Sequence, residues 1–470
     1  RFFFNSAAPF TGDAFADFLV GKFYNIQQGA GEYRDTRFNR IAAFANDSYK
    51  ISPRFTLNLG VRWEPFLPYT DVNGKVAVWE PGQQSTRFVN APTGVLFAGD
   101  AGVPAGGSAQ VWTRLAPRVG FAWDVNGDGK TSLRGGYGIF YDSPDTLAMN
   151  NQADQAPYGT VVSVFGNSTN SISNPYAGTV NPFPASHSDT PKDAAFPDYS
   201  SQWVYATDYR SAYVQAWNLS IEREIAPGFI GRISYAGSKG TRLTDIRELN
   251  PAIYASGATT ATTNDRRPFA PGLGSSSIVE PIGNSTYHAL QITGEKRFGH
   301  GFSVLANYQF SKAIDDSSSG KGSSQSMTNP FNQSFDKGPS DFDKTHVANV
   351  SGLWDLPIHF QNRVANSLLG GWSLNGILSL WSGFPFTVSS GVDNARTGTG
   401  GQRADLVGNP YLSGDRSRAE TVAQWLNPAA FQVNAIGTFG NLGRNSFRGP
   451  GNASVDAGLF KTFAINDRLG

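Results

Sequence analysis

The chain has 470 residues, no cysteine, and 38 Lys and Arg against 37 Asp and Glu, for a net charge of +1. That balance removes any bulk electrostatic argument for nucleic acid or an acidic partner, and the missing thiols exclude disulfides and thiolate metal sites. Glycine (53) and aromatics (34 Phe, 17 Tyr, 10 Trp) are abundant, mean hydropathy is negative, and no apolar run is long enough for a membrane-spanning helix. A membrane β-barrel shares this polar average, because only alternate strand residues face lipid.

Arg1-Phe2-Phe3-Phe4-Asn5 has no basic segment followed by an apolar one, so no signal peptide is read here, and the sequence is expected to be an internal piece of a longer chain. Residues 15–27 read as a first, weaker strand, broken at Gly29-Ala30-Gly31, and residues 36–50 as a second. The cleanest alternation runs over 54–64. Phe55, Leu57, Leu59, Val61 and Trp63 share one face, and Arg54, Thr56, Asn58, Gly60, Arg62 and Glu64 share the other. Trp63 at the strand end suits a membrane interface. Taken alone, this strand also fits a soluble antiparallel sheet with one wet face.

Residues 65–116 are a long loop rich in Gly, Pro, Asn and Thr. Residues 117–125 and 131–142 form a hairpin about Asn126-Gly127-Asp128-Gly129, with Leu133, Gly135, Tyr137, Ile139 and Tyr141 on one face and Arg134, Gly136, Gly138 and Phe140 on the other. After the long polar stretch 143–211, strands at 212–224 and 229–237 flank the turn Ala226-Pro227-Gly228. Residues 238–285 are a further long loop. Strands at 286–298 and 302–312, the second carrying Tyr308, flank Gly299-His300-Gly301. Residues 313–342 are Ser-rich and polar, 345–356 a strand, and 371–388 one long strand or two, with Trp372, Leu374, Leu378 and Leu380 on one face. Residues 389–452 are the last long loop and 453–465 the last strand.

This makes roughly twelve strands whose connections alternate short and long. A soluble sandwich has no reason to gather its long loops at one end, whereas a membrane barrel has one rim of tight turns and one of long loops. The expected fold is therefore all-β, an antiparallel transmembrane barrel occupying residues 1–470 as one partial domain. The mixed faces, with Arg54, Arg62, Arg134, Glu222, Glu295 and Arg297, are expected to line the lumen. Phe55, Leu57, Leu59, Trp63, Tyr137, Tyr141, Tyr308 and Trp372 are expected on the lipid face and its aromatic girdles.

No residue pattern demands catalysis. Asp124, Asn126 and Asp128 followed by Gly129 imitate the start of a calcium loop, but Gly135 stands where a bidentate Glu is needed, and Asn-Gly and Asp-Gly suit a hairpin turn. Asp336, Asp341, Asp343 and His346 form an acidic cluster near a histidine, with His346 on the opposite face from Asp341 and Asp343; solvated loop residues are the expectation. Asp315 and Asp316 are adjacent and point apart, and His187, His288, His300 and His359 are scattered. Lys321 between two glycines lies in a Ser-rich loop and makes no phosphate cradle, and the triplets beginning at Asn167 and Asn284 mean little in a bacterial host. No catalytic residue, metal site or cofactor is expected.

Six stretches, taken in order, resemble the barrel of TonB-dependent outer-membrane receptors of the Oar-like group. They are residues 57–64 (LNLGVRWE), 115–123 (LAPRVGFAW), 134–138 (RGGYG), 308–316 (YQFSKAIDD), 341–346 (DFDKTH) and 437–445 (GTFGNLGRN). The resemblance implies a barrel of about 22 strands with an N-terminal plug. It also implies an energy supply from the inner membrane through TonB, and uptake of a scarce small or oligomeric solute. The plug, the TonB-contacting segment and an aromatic last residue are not in this sequence, which is expected to be a part of one barrel trimmed at both ends. Two other readings stand beside it: a surface barrel or adhesin that binds partners through its loops, and a soluble β-rich carbohydrate-binding domain.

Overall fold

The computed structural model describes residues 1–4, 11–30, 35–143, 147–166, 168–178, 181, 190–299, 301–318 and 327–463. Asn167, His187, His300 and Lys321 lie outside the described residues. Eleven strands form one continuous sheet. They are β1 (Ala43–Ser52), β2 (Phe55–Trp63), β3 (Leu115–Asp124), β4 (Thr131–Tyr141), β5 (Tyr213–Ala226), β6 (Phe229–Glu248), β7 (Ser277–Gly299), β8 (Phe302–Asp315), β9 (His346–Asp355), β10 (Trp372–Trp381) and β11 (Asn452–Lys461). Each is antiparallel to its predecessor and lies beside it, in the unbroken spatial order of the chain. Among the described residues, β1 and β11 are the two edges of this path.

One end of the sheet is closed by tight turns. Gly127 (φ 76°) and Gly129 (φ 72°) take the left-handed conformation between β3 and β4. The Asp124 carboxylate accepts the N–H groups of both, at 2.9 and 3.0 Å. It therefore serves as the turn's internal acceptor, as expected of a hairpin. β5 and β6 close through Pro227 and Gly228 (φ 70°). The link from β9 to β10 is longer and contains the helix Arg363–Leu369, whose first amides donate to the Asn362 side chain.

Two expectations need correction. Residues 15–27 are not a strand: Ala14–Leu19 is a helix, and Asn25–Ala30 pairs in a separate small sheet with Phe2–Phe3 and Thr160–Phe165. The cause is local. Asp13 accepts the N–H groups of Phe15 and Ala16 and starts the helix, and Phe15, Phe18 and Leu19 recur at helical spacing. Residues 238–248 and 277–285, read as loop, are paired β structure that lengthens β6 and β7 beyond the other strands. Two register shifts near Leu243 accommodate this extension.

The extension exists because the buried core of the molecule lies in the long connections. Ala77–Trp79 pairs antiparallel with Val95–Phe97 and parallel with Trp203–Ala206, which in turn runs parallel to the start of β7. Val76, Val78, Leu96, Tyr205, Ile246 and Val279 pack on one side of this small sheet, and Ala77, Phe88, Phe97, Val204, Leu273 and Ile278 on the other. Both sides are buried, so the strand reads as the unbroken apolar run 76–79 and not as an alternation.

Asp100 ties this cap together. Its carboxylate accepts from the N–H groups of Thr86, Arg87 and Phe97 and from the hydroxyls of Ser85 and Thr86, at 2.7–2.9 Å. Burial pushes the pKa of this carboxyl up, and the hydrogen bonds from the Phe97, Arg87 and Thr86 amides and the Ser85 hydroxyl outweigh that and hold it below the ordinary carboxylate value. Because the folded value is depressed, Asp100 stabilises the cap above the ordinary carboxylate pKa. That contribution is lost as pH falls through the depressed value. Asp100→Asn is expected to cost roughly 2–3 kcal/mol of local cap stability. It should also flatten the acid dependence of amide exchange at Arg87 and Phe97; unchanged exchange would show that the cap does not rest on this carboxylate.

Candidate functional site: the two faces of the wall and its outer rim

Residues directly opposite one another in an antiparallel ladder share a face, so the registers sort every strand residue to one side or the other. Starting from Leu57, Leu59 and Val61 on β2, one face collects Phe121 and Val119, then Leu133 and Tyr137, Leu219 and Ile221, Ile233 and Tyr235, and Leu290 and Ile292. It continues through Tyr308 and Phe310, Val350, Leu378 and Leu374, and ends at Val455 and Leu459. Many of these side chains are exposed, including Leu59, Leu219, Ile233, Ile292 and Val455. One apolar surface thus crosses eleven strands. Among the described residues, the one charge in mid-band is Asp47, opposite Leu59 on the edge strand β1.

Aromatic rings bound this band at both ends. At the loop end Trp63 stacks on Trp112 and donates to the Trp112 carbonyl at 2.7 Å. Tyr137 donates to Gln215 at 2.8 Å, and Tyr141 donates to the Leu115 carbonyl at 3.3 Å under the Arg114 guanidinium. Two Tyr–His pairs continue the ring, Tyr235 with His288 at 2.7 Å and Tyr308 with His346 at 2.8 Å. At the turn end stand Phe55, Trp123, Phe302, Trp354 and Trp372, with the Lys461 ammonium 4.9 Å from the Trp372 ring centre. Phe55 and Trp63 are eight residues apart, about 26 Å along a strand, close to the height of a barrel's lipid-facing band.

The opposite face is mixed and more polar, with Phe44, Leu305, Leu353 and Ile377 set among polar and charged side chains. Arg62, Arg134, Glu222, Glu295 and Arg297 all lie on it, and Arg54 sits in the turn before β2, against Gly127 of the neighbouring turn. Most of them are paired. Arg62 binds Glu64 (2.6 Å), which also takes Arg40; Glu222 binds Arg232 on the next strand (2.6 Å); and Glu295 lies 3.4 Å from Arg297. Arg134 donates to Ser132 at 3.0 Å. Cross-strand hydrogen bonds such as Thr293 to Asn307 (2.9 Å) and Gln291 to Gln309 (3.1 Å) fill the spaces between them.

The acidic cluster near His346 is not a cluster in space. Asp336 pairs with Arg403, Asp343 with Arg448, and Asp315 with Arg444, which lies 3.5 Å from Asp341. All three arginines come from the last long connection and all four carboxylates from the connection after β8 or its edge. Asp336 and Asp343, expected to be solvated, are instead buried, because they are anchor points of one loop on another. Among the described residues no group of three or more metal-ligating side chains comes together. Sequence reading missed this clasp because its arginines are 67 to 129 positions away from their partners, although their recurrence at 403, 444 and 448 was visible.

No curated protein matches the chain. Among solved structures it is similar to the ferripyoverdine receptor of the outer membrane of Pseudomonas aeruginosa, with 12% identity and a TM-score of 0.38 over 76% of this chain and 30% of that one. It is also similar to the outer membrane transporter YddB of Escherichia coli (11%, TM-score 0.39, 76% and 34%) and the FrpB iron transporter of Neisseria meningitidis (11%, TM-score 0.37, 77% and 36%). It spans about a third of the length of each. The family model described as outer membrane beta barrel domain matches residues 1–470. With its segregated faces, paired aromatic rings and one-sided long loops, the chain belongs to the outer membrane beta barrel domain family and is a bacterial outer-membrane protein.

Proposed function

We propose that this chain is the wall and outer surface of a TonB-dependent transporter, and that the intact protein takes up a scarce solute using energy supplied from the inner membrane. The observation that carries the reading is the continuous apolar face that crosses all eleven strands, backed by a mixed and more polar face, with the long connections at one end. In this reading Phe55, Leu57, Leu59, Trp63, Tyr137, Tyr141, Tyr308 and Trp372 face lipid, and Arg62, Arg134, Glu222, Glu295 and Arg297 face the lumen, with Arg54 at its inner mouth. The tight turns are periplasmic and the capped loops extracellular. A free strand edge in hydrocarbon leaves backbone groups unsatisfied, so the edges of β1 and β11 are paired in the intact barrel. The solute would meet the cap and the upper lumen first, with a plug and its TonB contact supplied by another part of the protein. No catalytic role is assigned to any residue.

The similar proteins include a receptor bound to ferripyoverdine and an iron transporter, which makes chelated iron the first solute to test. A second reading, a surface barrel that binds extracellular partners, is favoured by the packed core of the cap, which gives the loops a fixed outer surface.

Two measurements test these assignments. Ile292→Arg places a charge on the apolar face and Gln291→Arg places it one residue away on the polar face. The first is expected to cost about 2–4 kcal/mol of stability in bilayers and the second much less, read as the urea midpoint of heat-modifiable electrophoretic migration of the full-length protein. Equal costs would mean that the apolar face does not meet lipid. A strain deleted for the whole gene is expected to lose growth on one class of scarce solute. Wild-type growth on chelated iron, oligosaccharides and peptides alike, together with lost adhesion, would favour the second reading.

A further inference from the structure

The mixed face of the wall is unevenly charged. Across β2, β3 and β4 it carries Arg62, Arg118 and Arg134, and the registers place Arg118 in one row between Gly60 and Gly138. Arg62 lies two positions from Gly60 toward the loops, and Arg134 four positions from Gly138 toward the turns. The three guanidinium-bearing positions thus step down this face over about 20 Å. Between the upper and lower ones the floor is Gly120 opposite Gly136, which puts no side chain in the way. At the loop end the face opens into a pocket of about 220 Å³, lined by Phe44, Asn46, Val61, Arg62 and Arg118.

The cations of this strip outnumber the carboxylates beside them. Glu64 accepts from Arg62 Nε at 2.6 Å and from Arg40 Nε at 3.0 Å, so both of its oxygens are engaged. Arg118 is exposed, lies 4.8 Å from the Phe140 ring centre, and pairs with no carboxylate among the described residues. Arg134 is exposed too and donates to the Ser132 hydroxyl at 3.0 Å. At the rim the Arg114 carbonyl accepts the Glu64 N–H; its guanidinium is buried, with Nε and Nη2 lacking a hydrogen-bond partner. The carboxylates lower on the same side are already engaged, Asp124 by the turn amides and Glu222 by Arg232. Across β7 to β11 the balance reverses, with Arg297 against Glu295, Asp355 and Asp456. The unbalanced positive charge belongs to one side of the wall.

We infer that Arg62, Arg118 and Arg134 form a binding track for a polyanionic solute, one that carries two or more carboxylate or phosphate groups. The inference deepens the proposed function and rests on its placement of this face in the lumen. A guanidinium offers a planar fork of donors that matches an oxyanion, and it gives up its hydration more readily than an ammonium. Arg118 and Arg134 are four positions apart along the strands, about 13 Å, so anionic groups at two ends of one solute can engage both. Phe44, directly opposite Arg62, and Phe140, under Arg118, are exposed on the same face and suit the apolar part of such a solute. A positive strip on a low-dielectric wall also draws anions in from the loop end. A neutral sugar gains nothing from these charges, and a cation is repelled by them.

The test titrates the full-length protein, purified in detergent, with ferric citrate, inositol hexakisphosphate, ferrioxamine B and maltohexaose in a calorimeter. These are a polycarboxylate, a polyphosphate, a cation and a neutral sugar. At least one of the two anions is expected to bind, more weakly as salt rises, and which one binds tells carboxylate from phosphate. Arg118→Gln is expected to weaken that binding about tenfold, and Arg118→Gln/Arg134→Gln about a hundredfold. Lys296→Gln removes one charge from the other face of the wall and is expected to bind as the wild type does. Heat-modifiable migration shows whether each variant is folded; should the double variant not fold, Arg118→Gln alone carries the test. Preference for the cation or the sugar would overturn the proposal, as would failure of both anions to bind or wild-type affinity in folded Arg118→Gln. Anion binding without uptake driven by the proton motive force in whole cells would instead overturn the transport reading and leave the track standing.

Discussion

A peptide group in hydrocarbon has no water to bond, and everything in this molecule follows from that deficit. The solution here is eleven antiparallel strands in which the nine inner strands bond to a neighbour on both sides. Once the backbone is satisfied sideways, the side chains have only two directions left, and the period of two becomes the sorting rule. Leu57, Phe121, Leu219, Ile233, Ile292 and Val350 go to one face, and Asn58, Asn218, Ser234, Gln291, Asn307 and Asn349 to the other. Much of the polar face completes itself through neighbours, as Glu222 does with Arg232 and Thr293 with Asn307, so these groups are held by partners before any solute is present.

The wall has no buried core, because a sheet one layer thick cannot enclose one. Burial is transferred to the connections on one side. There the hairpin of residues 77–79 and 95–97 and the parallel strand 203–206 make a sheet apolar on both surfaces, joined to the wall by the overlong β6–β7 hairpin. The cap and wall therefore obey different physics: lateral hydrogen bonding and lipid-facing side chains in one, close packing around Val78, Phe97 and Val204 in the other. The arginine clasp between the last two long connections adds a third device. Arg403 and Asp336 are almost wholly buried, and removing either would strand the other's charge. Such pairing holds the loops in one arrangement above the rim.

The outer end of the wall is where these devices meet. Tyr235, His288, Tyr308 and His346 satisfy one another's polar tips while their rings remain on the apolar side. Directly beyond them the side chains turn basic and hydroxylic.

Much of the wall was legible in the sequence, because a period of two is a local property. The faces of β2 and β4, the glycine turn after Asp124 and the placement of Trp63, Tyr137 and Tyr308 needed only alternation and turn chemistry. The sequence also determined the membrane setting, since long and short connections that alternate along a chain must lie at opposite ends of a meander. Tertiary structure alone decided the rest. The run 76–79 is a strand because partners more than a hundred residues away cover both its faces, and residues 238–248 are wall because Ile246 has that core to enter. Asp336, Asp341 and Asp343 are loop anchors because Arg403, Arg444 and Arg448 fold back on them. Alternation is written residue by residue, whereas a contact between distant loops exists only once the sheet has brought their ends to one rim.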